Sequence, residues 1–168
     1  MPHAHILIIL ADNYKPDNID IIDNIVSAEI LDSELNPLLF NAVVTHMVHG
    51  PCGINNPNSV CMKNKECSKI FPKQLQQNTE ITNNTFPKYK RNSGFTIQIR
   101  NVKIGDENIV PYNPYLLLKY NCHINVEICT SIKAVKYLFK YIYKGHDCAN
   151  IQFINENTDE ILNYLDTR

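Results

Sequence analysis

At 168 residues the chain has the size of one domain with room for a real core, and its 44% apolar and 20% charged residues are ordinary for a globular protein. No apolar run approaches the roughly 20 residues of a membrane-spanning helix. A net charge of −1 excludes a global basic field of the kind that gathers nucleic acid.

The charge is segregated along the chain. Acidic residues concentrate in 12–34 and 155–166, whereas 63–144 carries most of the lysines. The start of the chain shows no signal-peptide pattern, so its 6 cysteines are expected to be metal ligands or buried thiols in a reducing compartment. A strand opening almost at the first residue and an uncapped helical pattern at the last suggest a fragment of something longer.

In chain order, residues 3–10 alternate as a strand, with His3, His5 and Leu7 on one face. A polar loop over 11–24 leads to a turn or short helix around Ser27–Ile30. Leu38, Leu39, Ala42, Val43 and Met47 recur at helical spacing and predict a helix from Pro37 to Val48. Residues 49–94 have little apolar periodicity, and so long a loop needs something to organise it. Short strands are expected near Thr96–Arg100 and Asn108–Val110, followed by a turn between Pro111 and Pro114. Residues 122–129 read as a strand, with Cys122, Ile124, Val126 and Ile128 on a core face and His123, Asn125 and Glu127 on a polar one. A helix is expected over 131–144, capped by Thr130 or Ser131 and closed by Gly145.

Chemistry-bearing residues fall in three groups. His3 and His5, two apart on a strand, lie about 6.5–7 Å apart along the backbone and can converge on one cation. Glu127 and His123 are candidates for a third ligand, the alternative being two solvent-facing histidines and a half-solvated edge strand. The second group is His49-x2-Cys52-x8-Cys61-x5-Cys67, one imidazole and three thiols, a set suited to tetrahedral structural zinc. A metal there would order 46–73 as an insertion, although the spacing also fits buried free thiols. Third, Tyr137 and Tyr141 are four apart on a helix and share a face, beside Lys133, Lys136, Lys140 and Lys144. Aromatics so placed are either core or a pair of nucleophiles.

Several long stretches resemble the Rep domain of Helitron transposons, the Helitron helicase-like domain. They are Pro2–Leu7, Ile25–Ile30, Met47–Gly53, Cys61-Met62, Cys67–Lys73, Val110–Leu116, Asn121–Glu127 and Ser131–Gly145. The resemblance covers almost the whole chain as a single domain.

It implies an α+β fold of the HUH endonuclease type, an antiparallel β-sheet with flanking helices, here with a Cys/His-rich inserted loop. It further implies a rolling-circle nickase that cleaves and joins single-stranded DNA through a 5′-phosphotyrosine, with Tyr137 and Tyr141 as nucleophiles. His3 and His5 would hold a divalent metal, Mg or Mn, and the lysines beside the tyrosines would contact DNA. By the same resemblance the site of action is the nucleus, and no membrane is involved. The family's further metal ligand from a preceding strand and its fused helicase part have no counterpart here. An alternative therefore stands beside the nickase: a catalytically inactive transposon remnant, acting at most as a zinc-stabilised single-stranded DNA-binding module.

Overall fold

A computed structural model describes residues 4–81 and 86–129. Within them the chain forms a small α+β fold of three helices and two small antiparallel sheets. The helices are α1 (Ile19–Ile25), α2 (Pro37–His46) and α3 (Pro114–Tyr120). One hairpin joins β1 (Met62–Lys63) to β2 (Glu66–Cys67), and the other joins β3 (Ile97–Ile99) to β4 (Val102–Ile104). None of the helices among the described residues is long and apolar enough to cross a membrane.

Asparagine side chains cap the starts of α1 and α3. The Asn18 side chain accepts from the Ile21 amide at 2.9 Å, and the Asn113 Oδ1 accepts from the Leu116 amide at 2.9 Å. Proline takes the first turn of α2 and of α3, where its missing N–H costs nothing. α3 ends at Asn121 in the left-handed region, with φ 46°, a conformation asparagine tolerates. Both hairpins turn through two residues of positive φ, Asn64 with Lys65 and Arg100 with Asn101. That is the type I′ geometry whose twist matches the flanking strands.

Two apolar clusters form the core. The larger gathers Ile30, Ala42, Val43, Met47, Ile109, Tyr112 and Leu117 between α2, α3 and the 109–112 segment. The smaller packs Ile22, Val26, Ala28 and Tyr89, with Val126 and Ile128 against them. Between the two runs a buried polar network. The Asp106 carboxylate accepts from the Ile30 amide at 2.7 Å and from the Ser93 amide and hydroxyl at 2.7 and 2.8 Å. The buried Arg91 guanidinium donates to the carbonyls of Ile109 at 2.7 Å and Ala28 at 3.3 Å, and to that of Asp106. Such groups hold together segments that form no continuous ladder, since buried backbone atoms must find some partner.

The structure differs from the expected elements in several places, among them α3, capped by Asn113, where only a turn between Pro111 and Pro114 was expected. Residues 4–10 form no strand, and Ile6, Ile8 and Ile9 are exposed. The first helix lies at Ile19–Ile25 instead of around Ser27, because Asn18 caps it there, and Ser27 pairs through its backbone with Tyr112. Asn108 ends a 3-10 turn (Asp106–Asn108), and Ile109 makes an isolated bridge to Val48 in place of a strand over 108–110. Residues 122–129 are not a strand, because their backbone bonds go to scattered partners. The Val126 amide donates to the Pro111 carbonyl at 3.0 Å, and the Ile128 amide to the Tyr89 hydroxyl at 2.8 Å. The helix expected over 131–144 lies outside the described residues.

Candidate metal centre

The polar stretch after α2 is anchored at both ends to one short segment. The His49 amide donates to the Asn108 carbonyl at 2.8 Å, and the Asn108 side chain donates to the His49 carbonyl at 3.2 Å. The Lys73 amide donates to the Glu107 carbonyl at 2.7 Å. The intervening lobe, 49–73, then folds back on itself. A turn at Gly53, where φ is 65°, carries the chain past Cys52, and the β1–β2 hairpin pairs Met62 with Cys67. The Ser68 amide closes on the Cys61 carbonyl at 2.8 Å, so the last two cysteines sit at adjacent corners of one hairpin.

The outcome is a cluster of donors. One ligand atom each from His49, Cys52, Cys61 and Cys67 lies within 4.8 Å of every other. Cys67 Sγ is 3.5 Å from His49 Nε2. A tetrahedral zinc with Zn–S of about 2.3 Å and Zn–N of about 2.0–2.1 Å requires an N···S separation of about 3.5 Å and S···S separations of about 3.8 Å. The donor set is therefore chemically and spatially fit to hold a metal such as zinc. It consists of the same four residues singled out by their spacing.

Electrostatics around the cluster differ from donor to donor. Burial, reinforced by Lys73 and Lys69, holds His49 below the ordinary imidazole range, which keeps the ring neutral and its lone pair available. Phe71 stacks on that ring, with centroids 4.2 Å apart and planes 10° from parallel, and fixes its orientation. Burial, followed by the neighbouring thiols of Cys67 and Cys61, pushes the Cys52 thiol up to about 12. Cys67 shifts the other way. Burial raises it, but backbone hydrogen bonds from Phe71 and Lys69 outweigh burial and lower it. The Cys52 thiol thus resists ionising in the absence of a cation, whereas the amides favour charge on Cys67.

Of the other candidates, His5, His123 and Glu127 lie among the described residues and join no such cluster. His5 lies in the exposed 4–11 segment, and His3, Tyr137, Tyr141, Lys133, Lys136, Lys140 and Lys144 lie outside the described residues. The His123 Nδ1 donates to the His46 carbonyl at 2.8 Å. The Glu127 carboxyl reaches inward towards Tyr89, Lys73 and Arg91, with Oε2 buried and without a hydrogen-bond partner among the described residues. Among those residues, the zinc-type cluster is the one grouping of three or more His, Cys, Asp or Glu side chains able to share an ion.

Phe71 and Lys73 were not singled out as site residues by spacing, although a Cys-x3-Phe-x-Lys sequence next to a ligand could have flagged them. No protein-family model matches the chain, and no curated protein matches it significantly.

Proposed function

We propose that this chain is a zinc-stabilised module that works on single-stranded DNA, with its 49–73 lobe folded around a structural zinc on His49, Cys52, Cys61 and Cys67. The observation that carries the zinc reading is the convergence of those four donor atoms within 4.8 Å. Four protein donors complete a tetrahedral shell and leave no open position for substrate, so the metal's contribution is structural. Without it, a lobe of such low apolar content lacks the burial to hold its conformation. Chelation is expected to lower the thermal midpoint and Zn²⁺ to restore it, whereas Mg²⁺ does not.

The DNA reading rests on the resemblance to Helitron Rep domains, whose matching stretches Met47–Gly53, Cys61-Met62 and Cys67–Lys73 contain all four zinc donors. In that reading the fold is of the HUH type and the site of action nuclear. His3 and His5 bind Mg or Mn, and Tyr137 and Tyr141 are the nucleophiles, with Lys133, Lys136, Lys140 and Lys144 on the DNA.

The test is a labelled single-stranded oligonucleotide incubated with the zinc-loaded chain and Mn²⁺. An active nickase gives a denaturant-stable protein–DNA adduct that Tyr137→Phe with Tyr141→Phe abolishes. An adduct that survives both substitutions contradicts the assignment. DNA binding without an adduct leaves the non-catalytic module as the function.

A further inference from the structure

Between Leu35 and Thr79 the only charged side chains are Lys63, Lys65, Glu66, Lys69 and Lys73, so the zinc lobe is a basic island on a chain of net charge −1. Lys63 and Lys65 flank the tip of the β1–β2 hairpin, and Lys69 follows directly after it. All three are exposed, and none forms an ion pair among the described residues. Lys73 is otherwise engaged, donating to the Lys69 carbonyl at 3.1 Å with its ammonium 5.0 Å from the Phe71 ring centre.

The same lobe holds up apolar side chains to solvent. Ile54 is 101%, Val60 102% and Ile70 75% exposed, in common with Ile6, Ile9, Leu35 and Leu38 elsewhere on the chain. Exposed cations gathered on one hairpin suit a ligand rich in phosphates, and the single-stranded DNA of the proposed function is such a ligand.

We propose that the hairpin of the zinc lobe, with Lys63, Lys65 and Lys69, is a phosphate-contacting face for single-stranded nucleic acid. The proposal rests on the zinc reading, because the metal fixes the hairpin relative to the rest of the lobe. It differs from the lysine set beside Tyr137 and Tyr141 in needing neither tyrosine.

The test is fluorescence anisotropy on the full zinc-loaded chain, titrated with a labelled oligo-dT and with a hairpin duplex of equal charge over a range of KCl. Zinc content is measured in the same samples. Lys63→Ala with Lys65→Ala is expected to weaken oligo-dT binding about tenfold near 50 mM salt and to make the log–log salt slope shallower by about 1.4, at about 0.7 per phosphate contact. Lys63→Arg with Lys65→Arg is expected to restore both. A control of equal charge change, Lys15→Ala with Lys88→Ala, removes lysines already paired with Asp12 and Glu80 and is expected to leave the slope alone.

An unchanged slope in the hairpin variant, an equal loss in the control, or preference for the duplex overturns the proposal. A zinc-loaded chain that binds no oligonucleotide overturns it while leaving the zinc reading intact. A chain that binds oligo-dT with the expected lysine dependence but no zinc supports the face and removes the zinc reading beneath it.

Discussion

Burial raises the Glu127 carboxyl to about 7, outweighing its hydrogen bond with Tyr89 and the attraction of Lys73 and Arg91. A carboxyl raised in this way binds more protons in the folded chain than in the unfolded one between about 4.5 and 7. Its contribution is fully present below the lower value and is lost as pH rises through the upper one. Glu127→Gln keeps the shape and stays neutral, so it is expected to escape that loss and to gain up to about 3 kcal/mol over the parent chain between pH 5 and pH 8. Urea unfolding of both proteins in saturating zinc checks this, since metal loss in acid is common to the two. Parallel stability–pH curves would show that the carboxyl is not desolvated.

Legibility differed sharply at this scale. Cys52, Cys61, Cys67 and His49 declare themselves because few roles use three thiols and an imidazole within a short span. Arg91 and Asp106 are silent in the sequence. Arg91 serves carbonyls as far away as Ala28, 63 residues distant, and Asp106 caps the amide of Ile30, 76 residues distant. Nothing local marks such long-range partners.

At the scale of elements, α2 and β3 lie where they were expected, the latter near Thr96–Arg100, whereas α1 and α3 were not expected at their positions. α2 falls within its expected span, ending at His46 where the backbone turns away to pair Val48 with Ile109. The Asn113-Pro114 start of α3, a capping side chain followed by proline at the first helical position, could have announced that helix, but Pro114 reads equally as the end of a turn. Alternation misled at 4–10 and 122–129, because period-2 patterning describes any extended chain. A strand needs a partner edge as well.

The β3–β4 hairpin offers a direct check on turn chemistry. Its turn places Arg100 at φ 48° and Asn101 at φ 65°, both in the left-handed region. Arg100→Asn with Asn101→Gly supplies the pair that type I′ turns favour. The double variant is expected to gain about 1 kcal/mol, a rise of about 2–4 °C in thermal midpoint for a chain of this size. A fall in midpoint would mean that the turn has another geometry.

For the whole molecule, the apolar clusters gather α1, α2, α3 and the 109–112 segment, and the 49–73 lobe stands apart from them. Its two ends are fixed at Glu107 and Asn108, yet none of its residues belongs to the fully buried apolar set. The zinc-type cluster was readable from spacing, and the α+β class followed from the family resemblance. The buried polar joints were not, because they form only once distant segments meet.

On the zinc reading the lobe's order depends on its four donors, and so does the claim that the metal is structural. Zinc bound per chain, measured on protein purified under reducing conditions without added metal, is the most direct test. The account requires one zinc per chain, falling to none in Cys52→Ser with Cys61→Ser and loosening the lobe as it goes. A parent chain that is folded and free of zinc, with no uptake when the metal is supplied, would contradict it.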